Sequence, residues 1–320
     1  MSRLWAITSY FNPMRYRRRL QNYLAFRRRL TVPLVAVELA YHPEFDLPPD
    51  AADVVLRLRG DDVLWQKERL LNLALAHLPP ECDTVAWLDC DLVFQRDDWA
   101  ELALRGLERH PLLQPFRRVY EPGPDAWDVD APVPPDAPLG SAQAELLDRG
   151  MALPVLLSGD MRARHGSQMG LAWVARRELV ESAGFYDVCV LGSGDRALLC
   201  AALGATANMV DYLRMGPAWA RHYEAWAARL FGRVRGNIGC TDGTVVHLWH
   251  GDLRHRRHRC RHEPFAAFGF DPAVDIALAD AGCWRWNTDK PQMHAHVAEF
   301  FRSRREDGEP SSPALAASQA

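Results

Sequence analysis

The sequence lacks several features that would place a chain at once. It has no CxxC pair, and its seven cysteines, Cys82, Cys90, Cys189, Cys200, Cys240, Cys260 and Cys283, are odd in number. That pattern argues against a disulfide framework and against a structural zinc site. Reduced thiols in a cytosol are expected. No run of about 18 apolar residues occurs, so no transmembrane segment is expected. The opening Met1-Ser2-Arg3-Leu4-Trp5-Ala6-Ile7 enters an apolar stretch directly, without a secretory signal pattern. A cytoplasmic location follows as the expectation. Neither sign of charge dominates: the formal net charge is -3. With no recognition motif beside it, so small a charge argues against nucleic acid as a partner. No internal repeat is visible.

What is present is the composition of an ordinary globular chain, 48% hydrophobic and 25% charged over 320 residues. Trp5 to Tyr10 reads as a buried strand stopped by Asn12-Pro13. Residues 14–30 read as an amphipathic helix whose many arginines form a solvated face. The same arginines also fit peripheral contact with an anionic membrane surface. Val32 to Leu39 and Val54 to Leu58 are further strands. Leu64 to Leu78 is a helix ending at Pro79-Pro80, and Thr84 to Leu88 is another strand. This alternation predicts an α/β chain with a mostly parallel sheet flanked by helices. Residues 121–140 carry six prolines and read as a loop. Residues 170–183 and 195–204 read as helices. The tail 303–320 is polar and then Ala/Ser/Pro-rich, which predicts disorder.

Three constellations carry chemistry. Asp89-Cys90-Asp91 follows an apolar strand, where α/β sheets place their ligands. Two carboxylates there are costly unless a cation meets them, and Mg²⁺ or Mn²⁺ bridging phosphates is a good candidate. The second is Thr244-Val245-Val246-His247-Leu248-Trp249-His250-Gly251, a strand leading to two histidines. Their offset of three is odd, so on a continuous strand only one could face a metal. Gly251, which lets the chain turn, favours His250. Arg254, Arg256, Arg257, Arg259 and Arg261 follow and could hold a diphosphate. The third is Leu191-Gly192-Ser193-Gly194-Asp195-Arg196, which opens a helix. Asp195 is either its N-cap or a carboxylate that takes a proton from a substrate hydroxyl.

In order and spacing these segments resemble the inverting GT-A glycosyltransferases, the bacterial family-2-like and β-1,4-galactosyltransferase types. The likeness runs over roughly residues 4–262. It rests on Thr8-Ser9-Tyr10-Phe11-Asn12-Pro13, on Gln66 to Asn72, on Asp89-Cys90-Asp91, on Gly170 to Arg177, on Ala183 to Asp187 and on Gly192 to Asp195. The resemblance implies a Rossmann-like GT-A domain over 1–302. Its nucleotide-sugar half would be 1–120, and its acceptor and catalytic half 141–302, beyond the Pro-rich loop. It implies a UDP-sugar donor, a glycan or glycolipid acceptor, and Mn²⁺ or Mg²⁺ as cofactor. Asp91, Asp89, His250 and His247 are the implied metal ligands, and Asp195 the implied catalytic base. Thr8, Tyr10, Asn12, Glu38, Lys67, Asp89 and Trp173 are the expected donor-binding residues. One departure stands out: the galactosyltransferase segment has several acids in a row, whereas here Arg196 follows Asp195. A retaining glycosyltransferase and a nucleotidyltransferase acting on sugar phosphates are the alternative readings.

Overall fold

The computed structural model describes residues 3–124, 128–158, 166–256 and 260–308. The leading strands are β1 (Leu4–Phe11), β2 (Leu34–Ala40), β3 (Val54–Arg59), β4 (Thr84–Leu88), β5 (Leu92–Phe94), β6 (Leu112–Gln114), β7 (Arg118–Tyr120), β8 (Leu139–Ser141), β9 (Ala172–Arg176), β10 (Ile238–Cys240) and β11 (Thr244–His247). Seven of them form the main sheet in the order β10-β6-β9-β4-β1-β2-β3. Every neighbour pair in it is parallel except those of β9, which runs antiparallel to β4 and β6. This is the mixed, mostly parallel α/β sheet expected.

Strand parity divides the core. Ile7, Val35, Val37, Val85 and Trp87 face one side, and Ala6, Tyr10, Leu34, Ala36 and Ala86 face the other, as the period of two requires. The first face is covered by the Lys67–Ala76 helix through Leu70, Leu71, Ala74 and Leu75. The Pro217–Val234 helix adds Trp219, Tyr223, Trp226, Leu230 and Val234, an apolar stripe at helical spacing. The second face is covered by Tyr23 and Phe26 of the Arg17–Arg29 helix and by Trp99 and Ala103 of the Trp99–Gly106 helix. Both faces are buried, so the strands read as continuous apolar runs.

That same property misleads at 170–183. A helix is expected there, but Ala172–Arg176 is strand β9 and only Arg177–Ala183 is helical. A short apolar run buried on both sides has no alternation to mark it as a strand. The helix expected at 195–204 is present as Gly194–Ala202.

A second sheet is ordered β5-β11-β7-β8. Its pairing decides where the site forms. β11 runs antiparallel to β5 with His247 opposite Leu92, so the late histidine segment is delivered beside Asp91. The 121–140 loop is irregular until β8 begins at Leu139, with 125–127 outside the described residues. The tail is ordered further than expected. Residues 304–308 return to the body of the chain, and Arg304 and Glu306 are both buried; 309–320 lie outside the described residues. Among the described residues, no helix is long and apolar enough to cross a membrane.

Candidate active site

Strand β4 ends at Leu88, and the next three residues, Asp89-Cys90-Asp91, open into a cleft of about 230 Å³. The Asp89 N–H donates to the Leu171 carbonyl (2.7 Å), and the Asp91 carbonyl accepts from the Leu248 N–H (2.8 Å). The turn is therefore held from both sides, by the segment before β9 and by the segment after β11.

The two acids then part company. Asp91 meets the histidines: its Oδ2 lies 3.2 Å from His250 Nε2 and its Oδ1 3.8 Å from His247 Nε2. The two Nε2 atoms are 3.0 Å apart. The odd offset does not separate these histidines, because β11 ends at His247. His250 lies beyond the strand, just before Gly251 at φ +88°. A Cβ at residue 251 would stand 2.6 Å from the Arg304 carbonyl oxygen, so the returning tail demands glycine there. Asp89 is not part of this group. Its Oδ1 pairs with Lys67 Nζ at 2.5 Å, which corrects its expected place as a metal ligand.

Whether a divalent ion fits can be judged from these atoms. Asp91, His247 and His250 converge with their ligand atoms within 4.8 Å of one another. Three ligands of an octahedral ion at about 2.1 Å stand about 3 Å apart, close to the separations found. Asp91 Oδ1 is buried without a hydrogen-bond partner, which is costly unless a cation approaches it. His247 Nδ1 lies 2.9 Å from Glu121 Oε1, an outer-shell carboxylate that fixes the tautomer and turns Nε2 inward. Burial, and then nearby Arg256, push His250 down to about 3, so its imidazole is neutral and free to ligate at neutral pH. The donor set of one carboxylate and two imidazoles fits a divalent ion, and its imidazoles suit a transition ion better than Mg²⁺.

Across the cleft, Asp195 sits in the first turn of the Gly194–Ala202 helix. The N-cap residue is Ser193, at φ +82°, whose side chain makes no cap hydrogen bond, and the Asp195 carboxylate accepts from Lys67 instead. The carboxylate lies over Gly170, where a Cβ would come within 2.3 Å of Asp195 Oδ2. Lys67, the first residue of its helix, bridges the two sides: Nζ is 2.9 Å from Asp195 Oδ2 as well as 2.5 Å from Asp89. Burial works against the ammonium, but Asp195 and Asp89 outweigh it and hold Lys67 well above the usual lysine range. Its neighbour Glu68 is buried behind this trio, and burial lifts it to about 8.

Several expected donor residues do not reach the cleft. Thr8 donates to the Leu88 carbonyl, Tyr10 donates to Asp46, and Asn12 fixes the turn at Tyr16. Glu38 accepts the N–H groups of Asp46 and Leu47 under strand β2. On β1 it is Ser9 and Phe11 that line the cleft, not Thr8 and Tyr10. Trp173 is fully buried on β9 and donates to the Met169 carbonyl, so it cannot stack on a sugar. Lys67 and Asp89 do line the cleft.

Other residues at or beside the cleft carried no signal in the sequence. Arg19, placed among solvated arginines, is turned inward onto Glu306 at 2.5 Å, whereas Arg17 is 88% exposed as expected. Glu306 also pairs with Arg304 and stands 3.8 Å from His250 Nδ1. Burial opposes its charge, yet Arg19 and Arg304 hold Glu306 well below the usual carboxylate range. Of the late arginines, Arg256 and Arg261 are buried in the cleft wall and Arg254 is exposed; Arg257 and Arg259 lie outside the described residues. Their distance in sequence from Asp91 left no local signal for Glu121, Arg19 or Glu306.

No family model matches the chain, and no curated protein matches it. Among solved structures it is similar to glucosyl-3-phosphoglycerate synthase from Mycobacterium tuberculosis, in complex with Mn²⁺, UDP and phosphoglyceric acid. The identity is 14%, over 87% of this chain and 82% of that one, at a TM-score of 0.41. It is similar to the mannosyltransferase PcManGT from Pyrobaculum calidifontis, in complex with GDP-Man and Mn²⁺, at 14% identity over 93% and 69%, TM-score 0.40. It is also similar to a 4-diphosphocytidyl-2C-methyl-D-erythritol synthase from Anaerococcus prevotii, at 9% identity over 76% and 89%, TM-score 0.32. Likenesses this distant carry no assignment, and function is read from the site itself.

Proposed function

We propose that the protein is a metal-dependent glycosyltransferase of the GT-A type. Its donor is a UDP-sugar, and it passes a hexose or N-acetylhexosamine to a hydroxyl of a glycan or glycolipid. The observation that carries this reading is the convergence of Asp91, His247 and His250 on one side of a cleft that has Asp195 on the other. Phosphates suit the space between, which is lined by Arg19, Lys67, Arg256 and Arg304.

Asp91, His247 and His250 would hold the divalent ion, with Glu121 orienting His247. The bound ion supplies charge neutralisation for the departing diphosphate. Lys67 lies between the two halves of the site and reaches donor phosphate once Asp89 and Asp195 share it. Asp195 accepts the proton of the acceptor hydroxyl. That oxygen bonds to the anomeric carbon as the bond to the diphosphate breaks. With Asp195 as the base and the hydroxyl attacking from the face opposite the diphosphate, the configuration at that carbon is inverted.

The test is a donor screen: purified protein, Mn²⁺ and a panel of nucleotide sugars, with nucleotide release as readout. Release from a UDP-sugar that stops on chelation is the expected result. A product that retains the donor's anomeric configuration would remove Asp195 as the base. Synthesis of a nucleotide sugar from a nucleoside triphosphate and a sugar phosphate, with no transfer, would replace the reading by a nucleotidyltransferase.

A further inference from the structure

Three cations of the cleft are balanced by carboxylates. Lys67 shares Asp89 and Asp195, and Arg19 and Arg304 share Glu306. Two are not. Arg196 and Arg261, only 5% and 7% exposed, line the same cleft and meet no carboxylate among the described residues. Arg196 donates to the Leu157 carbonyl and to Met169 sulfur, and its guanidinium lies 4.0 Å over the Tyr212 ring. Its Nε is buried and unpartnered. Arg261 donates to Ser193 Oγ (2.8 Å), to His262 Nε2 (3.1 Å) and to the Arg256 carbonyl (3.4 Å). The Tyr212 and His262 rings are in contact, so the two arginines belong to one continuous wall. Burial lowers Arg261 to about 10, which still leaves it charged at neutral pH.

A buried charge without a counter-charge costs several kcal/mol, and such a pair at a cleft wall is explained when a ligand brings the anion. A planar guanidinium fork matches phosphate oxygens. The same wall carries the N-terminus of the Gly194–Ala202 helix, whose dipole adds positive potential. Ser193 and Arg196 flank Asp195 in that turn, whereas the metal-site residues come from β4, β11 and the turns that follow them. We infer that Arg196, Arg261 and Ser193 form a second anion subsite, separate from the metal, which binds a phosphate group on the acceptor. Placing the phosphate on the acceptor rests on the glycosyltransferase reading, in which Asp195 faces the acceptor hydroxyl.

The experiment is calorimetric titration of inorganic phosphate into the full chain, first metal-free and then with UDP and Mn²⁺ saturating. Wild type is expected to bind phosphate in both conditions. Arg261→Gln should weaken it by about tenfold or more, the scale of a lost hydrogen bond to a charged group, and Arg261→Lys should recover part of that. UDP affinity should be unchanged in both variants. Should Arg261→Gln fail to fold, Ser193→Ala removes only the part-buried hydroxyl that meets Arg261 and His262 and should cost about threefold. Phosphate that binds only when UDP is absent, together with weakened UDP binding in the variants, would show that these arginines serve the donor diphosphate and overturn the inference. So would no phosphate binding in either condition. If UDP with Mn²⁺ does not bind at all, the donor reading fails, while the metal-free titration still decides whether this anion site exists.

Discussion

Asp89 and Asp91 are two residues apart and serve different partners, Lys67 for the first and the two histidines for the second. Asp91→Ala should therefore abolish Mn²⁺ binding, read by the paramagnetic signal of free Mn²⁺. Asp89→Ala should leave Mn²⁺ affinity within a fewfold and act on Lys67 instead. Both His247→Ala and His250→Ala should raise the Mn²⁺ requirement. If only one does, the convergence seen here is not the working site. Glu121→Gln tests the outer shell, where such changes cost about 10–100-fold in metal affinity. Asp195→Asn should fold and bind UDP with Mn²⁺ normally while losing about 10²–10⁴-fold in turnover, the worth of a positioned general base. Wild-type turnover in that variant would leave the reaction without its base. At this scale the sequence was legible for placement in the cleft where a residue closes or opens an element, as with Asp91 just past β4 and with Lys67 and Asp195 in the first turns of their helices. It was illegible where side-chain direction decides. Thr8 and Ser9 differ only in parity on β1, and nothing local says which faces the ligand.

At the scale of elements, the site depends on a strand and a tail. β11 brings His247 to Asp91 by pairing with β5, and residues 304–308 bring Glu306 beneath His250. The tail reads as disordered because its composition is polar and rich in small residues, and composition says nothing of Arg19 and Arg304, which both pair with Glu306. Glu306→Gln leaves Arg19 and Arg304 without their anion. It should destabilise the protein by about 3–5 kcal/mol, the cost of stripping one partner from a buried ion pair, measured by urea unfolding. A loss below about 0.5 kcal/mol, typical of an exposed surface substitution, would mean that the tail is not held as described. The β9 segment shows the converse limit: Leu171-Ala172-Trp173-Val174-Ala175 is buried on both faces, and periodicity cannot distinguish such a strand from a buried helix.

At the scale of the molecule, the order of strands and helices in the first hundred residues was readable, because βαβ alternation and the parallel sheet follow directly from it. The docking of the second sheet, which completes the site, was not, since it joins segments more than 120 residues apart. The buried acid behind the site also gives the whole protein a pH dependence. Glu68 is lifted to about 8 by burial, against an ordinary 4.5. Between those values the folded state holds a proton that the unfolded state has released, so the contribution of Glu68 to stability is fully present below about 4.5 and is lost as pH rises through about 8. A tenfold change in proton affinity is worth about 1.4 kcal/mol, so lifting Glu68 from 4.5 to about 8 corresponds to a loss on the order of 5 kcal/mol at most. Glu68→Gln should flatten the decline of thermal midpoint between pH 5 and 8.5; an unchanged slope would show that Glu68 does not hold its proton in the fold.

The central claim is that Asp91, His247 and His250 form a divalent-metal centre that receives a nucleoside diphosphate. Calorimetric titration of UDP with and without Mn²⁺, on wild type and His250→Ala, tests it most directly. The account predicts binding to wild type that is at least tenfold tighter with Mn²⁺ than in chelator, the scale of one charge-assisted contact, and loss of that Mn²⁺ dependence in His250→Ala. Equal UDP affinity with Mn²⁺ and with chelator, or no binding in either, would contradict it.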